Sequence, residues 1–403
     1  MSVEKFKPNF LSDDQSKDIA TRQLLSFLYI NEEGRKKRAP SMALFSLSKI
    51  PPDAITEEPP LFKWKSRRIY DVDGVLLFWD QSIQLDDVNT LTVRTAASDL
   101  LSSPVWSVRA GKTHDFDMLI EKTRSALNDS GLKPVQEDET SPRLICYAYP
   151  KLGILAASVT HPNERYVVDL WERKPIPVEK HQNGHGSEPK EESVKTVWSP
   201  YDLITRATVD RFRARFQRQS GNLTGMPPNP ARLGPASAIA TAGSTLKTTD
   251  PELFPVISQE RSSFCAPATM AMLLRHHGIV ESQEIIAGKM GTTSSGTFPD
   301  DQAEAVEELT SDALIGTLDL TTSFDEGKVE IIANRPFKTG GVAHARACCG
   351  FMIEANLKEW LYIYDPMPVD EGDIYFEAWE PPYHGDYIYV RPRSSSLSAG
   401  GPS

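Results

Sequence analysis

The 403 residues include only four cysteines, Cys146, Cys265, Cys348 and Cys349. That is too few for a disulfide framework at this length, so a reducing compartment such as the cytoplasm fits best. No apolar run approaches the roughly 18 residues that span a bilayer. The opening MSVEKFKPNFLSDDQSKD lacks the apolar core of a secretory signal. Positive charge is also short: 44 Lys and Arg against 55 Asp and Glu leave a net charge of −11. Nucleic acid and anionic membranes, which both demand a basic surface, are excluded as main partners. No internal repeat is present, which excludes a solenoid.

With 39% hydrophobic and 25% charged residues the composition is that of an ordinary globular protein. The length exceeds what one core usually supports, which predicts two domains. The sharpest break is VEKHQNGHGSEPKEESVK, nearly devoid of apolar residues, read as a solvated linker over 178–198. Before it, over 1–177, RRIYDVDGVLLFWDQSI reads as two strands around Asp73-Gly74, DFDMLIEKTRSALNDSG as a helix ending at Gly131, and RLICYAYPKLGILAASV and RYVVDLW as further strands. This is an α+β pattern built mainly from hairpins. Residues 199–250 read as a helix with a Ser-Pro start and Gly221 as its stop, followed by a Pro/Gly/Ser-rich connector. A second α+β unit then covers 251–393, and 394–403 form a disordered tail.

Within that second unit, SQERSSFCAPATMAMLLRHHG places Cys265 at the mouth of a helix. Pro267 suits a first turn, Ser262 or Ser263 can cap, Met270, Leu273, Leu274 and His277 recur at helical spacing, and Gly278 stops it. The positive end of a helix dipole favours a thiolate, the nucleophilic form of cysteine. A cysteine alone is more often a small buried hydrophobe, so the rest of the chain must supply a base.

Of eight histidines, His181 and His185 fall in the linker, His276 and His277 lie too far along the same helix, and His114 and His161 belong to the first half. His384 sits in a turn-like EPPYHGDY. His344, in GGVAHARACCGFMI, begins an apolar strand that the turn EANLKE joins to EWLYIYDP. An antiparallel hairpin brings the start of its first strand beside the end of its second, so Asp365 can hold the His344 imidazole in one tautomer. Thiolate attack on a carbonyl also needs oxyanion donors. The Cys265 N–H is one. A side-chain amide just upstream is the usual second, and Gln259 lies six residues before the cysteine, although Gln at such a spacing is also common as a plain surface residue.

These residues resemble the papain-like cysteine peptidases, nearest the branch of bacteriocin-processing (double-glycine leader) peptidases and their stand-alone relatives. PVISQERSSFCAPATMAMLLRHHG is similar to that branch's opening, GTTSSGTFPDDQAEAVEEL to its Gly-Thr segment leading into a helix, VEIIANRPFKTGGVAHARACCG to its helix, Arg-Pro strand and His-bearing strand, and WLYIYDPMP to its closing Asp-Pro strand. The resemblance covers about the last third of the chain. It implies a Cys-bearing helix packed on an antiparallel sheet that bears His and Asp, with Cys265 as nucleophile, His344 as base and acid, Asp365 as orienter and Gln259 as oxyanion donor. It implies no cofactor, and a peptide or protein substrate. Ala266 stands where relatives often carry Gly, and no transporter module accompanies the motifs.

Two other signals compete. IYDVDG matches the opening of haloacid-dehalogenase-like phosphatases, with Asp71 as nucleophile and Asp73 as acid, but the polar FKWKSRR before it is no central parallel strand, and Asp-Gly is a hairpin signal. His344, Cys348 and Cys349 suggest zinc, yet adjacent strand residues face opposite ways, so the two cysteines read as packing residues. The expectation is therefore a cysteine peptidase whose N-terminal domain selects substrate or regulates access to the cleft. Acyl transfer, cyclisation or deamidation by the same thiolate is the first alternative, and a silent interaction protein the second.

Overall fold

A computed structural model describes residues 6–36, 64–84, 89–112, 116–138, 141–178, 199–224, 245–249, 254–341, 344–354, 358–380 and 384–393. Nearly all of the 178–198 linker, most of the connector, the 394–403 tail, and His114, His181 and His185 lie outside these residues.

In the first half the elements are α1 (Asp13–Lys36), β1 (Lys65–Tyr70), β2 (Leu76–Gln84), β3 (Asn89–Ala96), β4 (Val105–Lys112), α2 (Phe116–Asp129), β5 (Leu132–Pro134), β6 (Leu144–Ala148), β7 (Lys151–Ser158), β8 (Arg165–Asp169) and β9 (Pro175–Pro177). Then come α3 (Val209–Thr224), β10 (Thr245–Thr248), α4 (Cys265–His276), α5 (Gln283–Lys289), α6 (Pro299–Leu309), β11 (Leu314–Asp319), α7 (Phe324–Ile332), β12 (Phe337–Gly341), β13 (His344–Ile353), β14 (Glu359–Asp365), β15 (Asp373–Ala378) and β16 (Asp386–Pro392).

Three expectations change. The helix expected to stop at Gly221 runs to Thr224, because Leu223 is fully buried and its packing carries another turn. The connector contains a strand: β10 pairs with β13 from Thr245↔Ile353 to Thr248↔Gly350. And α4 has Phe264 at its N-cap with no side-chain bond, while the Ser262 hydroxyl bonds Glu172 instead. Helix α1, unassigned in the sequence reading, carries Ala20, Leu24 and Phe27 at helical spacing and buries them against the sheet.

The described strands form one sheet, with β10 and β5 beside a path ordered β11-β16-β12-β13-β14-β15-β4-β3-β2-β1-β6-β7-β8-β9. The sequence divides the chain into separate units, but β15 pairs with β4 (Arg109↔Tyr375, Phe376↔Val108), so the sheet crosses that division. Pairing there satisfies backbone groups that an open strand edge would leave bare. Phe27 seals the crossing with edge-on contacts to Trp360 at 5.2 Å and Phe376 at 5.4 Å. Truncating so buried an aromatic typically costs about 3–5 kcal/mol.

Candidate active site

Helix α4 lays a ten-residue buried face, Cys265 to Leu274, across the sheet, with Cys265 and Ala266 against Ala345 of β13. Buried small and apolar residues let the helix approach closely, and Gly278 (φ 80°) turns the chain away afterwards. Cys265 is the first helical residue, where backbone N–H groups and the positive dipole end gather.

β13 and β14 are antiparallel, and the pair Ala347↔Tyr364 brings the end of β14 alongside the start of β13, with Asp365 one pleat repeat from His344. His344 and Asp365 thus meet on one face, with His344 Nε2 2.7 Å from Asp365 Oδ1, both side chains buried. The Met367 N–H donates to the same oxygen at 2.9 Å, and the Tyr375 hydroxyl donates to Oδ2 at 2.8 Å. Behind Tyr375, Arg346 donates to its hydroxyl at 3.1 Å and to Glu377. Burial alone would push Asp365 up, but the charge and hydrogen bond of His344, with Arg346 and the Met367 N–H, bring it down to about 2. An ionised Asp365 only accepts, so Nε2 carries the proton and Nδ1 is left toward the helix. Nδ1 is buried without a hydrogen-bond partner, and His344 stands close enough to Cys265 to shift the thiol's pKa. Burial pushes that thiol up. The hydrogen bond and charge of His344, with the Lys151 charge and the Ala345 backbone, outweigh burial and lower it to about 6. Burial likewise disfavours the His344 imidazolium, while Asp365 and Cys265 raise its pKa above the ordinary value. Together these shifts favour a thiolate–imidazolium pair, a nucleophile with a proton donor beside it.

Gln259 is tied through its own backbone to the segment after β14. Its N–H donates to Pro366 O at 2.8 Å and its carbonyl accepts from Asp370 N at 3.3 Å. Its amide nitrogen donates to Ser262 O at 3.2 Å, which uses one of two protons, and its Oε1 is buried without a partner. The four sequence-selected residues therefore sit on elements tied to one another.

The competing signals separate from this site. Asp71 caps a turn, accepting the N–H groups of Asp73 at 3.0 Å and Val75 at 2.8 Å. These bonds widen the loop to Asp71–Val75, between Tyr70 and Leu76, in place of the two-residue turn that Asp-Gly suggests. Cys348 and Cys349 pack into different apolar clusters, as neighbours on a strand must. His384 is held by Thr339 Oγ1 at 3.1 Å and Glu377 at 3.3 Å, and burial pushes it down to about 4. Tyr375 and Arg346 escaped the sequence reading. Only the β14–β15 register (Ile363↔Tyr375) puts that hydroxyl beside Asp365.

Residues 252–384 match the model of the Peptidase_C39 like family. The stretch that carries Cys265, His344 and Asp365 is thus similar to the C39-like peptidases. Three solved structures each align with about a third of the chain. A double glycine motif protease from an AMS/PCAT transporter, in complex with its leader peptide, is 18% identical, with 34% of this chain and 91% of that one covered at a TM-score of 0.27. The peptidase domain of Streptococcus ComA, a bifunctional ABC transporter, is 16% identical over 35% of this chain and 99% of its own, with a TM-score of 0.27. A C39-like peptidase from Bacillus anthracis is 15% identical over 36% and 99%, with a TM-score of 0.29. No curated protein matches. Among the described residues no helix is long and apolar enough to cross a membrane, and no three His, Cys, Asp or Glu side chains are grouped to hold a metal ion.

Proposed function

We propose that residues 251–393 form a papain-like cysteine peptidase unit that hydrolyses peptide bonds through Cys265, His344 and Asp365. One observation carries the reading: a single buried imidazole that bonds Asp365 through Nε2 and whose charge and hydrogen bonding lower the Cys265 thiol to about 6. The thiolate attacks the carbonyl carbon of a peptide or protein substrate. The developing oxyanion is met by the Cys265 N–H and the Gln259 amide. His344 gives its Nδ1 proton to the leaving amine, and the acyl group stays on sulfur as a thioester. His344 then takes a proton from water, the hydroxide displaces the thiolate, and the acid leaves. Asp365 holds the ring throughout and stabilises its protonated form. Residues 1–177 select substrate or regulate access, and a reducing compartment such as the cytoplasm keeps the thiol competent.

Labelling the full chain with a peptidyl electrophile, followed by peptide mapping, tests this reading. The label is expected on Cys265. A label on another cysteine, or on none, overturns it.

A further inference from the structure

Cys265 opens onto a cleft of about 940 Å³ whose two sides come from different halves of the chain. One side is built by Val369–Glu371 and the 294–296 turn, the other by Tyr147, Lys151 and the 171–176 turn. The second side is preorganised. The buried Asp169 carboxylate accepts from the Tyr147 hydroxyl at 2.8 Å, the Trp171 N–H at 2.8 Å and the Glu172 N–H at 2.7 Å, which fixes the turn that follows.

Charge is divided between the two sides. The N-terminal side presents Lys151, Arg173 and Lys174 with one acid, Glu172, which is hydrogen-bonded to Ser262. The opposite half presents Asp370 and Glu371, and the cation it adds to the lining, Arg261, is paired with Glu284 at 2.8 Å. Lys151, Arg173 and Lys174 make no salt bridge among the described residues, on a chain whose net charge is −11. At longer range Lys151 and Lys174 share the Glu172 carboxylate, and the buried Asp169 is also near Lys151. An excess of cations over acids beside a nucleophile, in an otherwise acidic molecule, forms a local field that draws in anions and disfavours cations. Lys151, at the start of β7, lines the cleft beside Cys265 and its charge helps to lower that thiol.

We propose that the N-terminal half makes the cleft selective for acidic peptides, with Lys151 receiving a Glu or Asp side chain of the substrate next to the scissile bond. This rests on the peptidase reading and adds the substrate class to it. A partly screened carboxylate–ammonium contact corresponds to a preference of about tenfold.

The test uses the full chain and peptidyl vinyl sulfones that carry Glu, Gln or Lys on the residue joined to the electrophile. A fourth probe, with Gln at that residue and a carboxylate beyond the electrophile, stands in for a free C-terminus. Labelling rates at Cys265 are divided by the iodoacetamide rate of the same variant, which cancels any change in thiol reactivity. The Glu probe is expected to react about tenfold faster than the Gln probe and faster still than the Lys probe. Lys151→Gln should abolish that preference, and Lys151→Glu should reverse it in favour of Lys. Equal rates for all probes, a Glu preference that survives Lys151→Gln, or preference for the fourth probe each overturn the assignment while leaving the peptidase reading intact. Failure of every peptidyl probe at a thiol that iodoacetamide still alkylates overturns both.

Discussion

Asp71 and Asp365 are both nearly inaccessible aspartates at the end of a strand, one in each half of the chain, and their environments push them opposite ways. Burial raises Asp71 to about 6, since its partners are two backbone N–H groups and the Ser199 hydroxyl, with the Asp73 charge nearby. Asp365 falls to about 2 because His344 and Arg346 add positive charge to comparable hydrogen bonding. The cysteines divide likewise. Burial pushes Cys146 up to about 12, whereas His344 brings Cys265 down to about 6. Burial by itself drives ionisable groups neutral. At Cys265 and Asp365 the packed-together cation, thiol and carboxylate favour the charged forms instead, and charged forms do nucleophilic chemistry.

The sharpest way to break this contrast is to remove the sulfur. Cys265→Ala should abolish measurable peptide hydrolysis, whereas Cys146→Ala should leave kcat unchanged and only lower the melting temperature. Progress curves with a cleavable peptide, beside thermal melts, would expose either failure.

Next in size is the oxyanion donor. Gln259→Ala is expected to lower kcat by about 10²–10³ with the fold retained. An unchanged kcat would make Gln259 a purely structural tie between the loop and the β14 end.

Alkylation separates the thiols directly. Near pH 7 iodoacetamide should modify Cys265 at least about 100-fold faster than Cys146, Cys348 or Cys349, after allowing for the lower intrinsic nucleophilicity of a low-pKa thiolate. Because the reactive form is deprotonated, the Cys265 rate should climb as pH rises through about 6 and then level off. Turnover should rise over the same interval and fall again once His344 loses its proton, above its ordinary value of 6.5. A Cys265 rate still climbing steeply at pH 9 would mean an ordinary thiol.

The aspartates give the smallest effects and the closest comparison. Asp365→Asn should reduce kcat about tenfold, since an amide still orients the imidazole but stabilises its protonated form less, and Asp365→Ala should cost more. Asp71→Asn should leave kcat alone, because its role is to accept turn N–H groups. Its effect is on stability. With the folded pKa raised from 3.8 to about 6, the native state binds the extra proton, so wild-type stability falls as pH rises from about 4 to about 6. The Asn variant should lack that fall, which pH-resolved denaturant melts would measure.

Much of the candidate site was legible in the chain. The helix start at Cys265 follows from Pro267, the apolar spacing and Gly278, and the hairpin placing His344 near Asp365 follows from two apolar runs around a polar turn. These are short-range patterns, fixed by helical and strand periods. The Asp71 turn was legible for the same reason, though not its width, which side-chain acceptance of two N–H groups decides.

What the sequence determined by itself, then, is the set of local elements and the residue types at their ends. Only the tertiary structure decided that β4 and β15 would join the halves into one sheet, that Tyr375 would support Asp365, and that Lys151 would face the cleft from the other half. Those outcomes depend on pairing between segments more than a hundred residues apart in two of the three cases. Strand pairing of this kind is selected by the fit of whole apolar faces, and no window of sequence contains both partners.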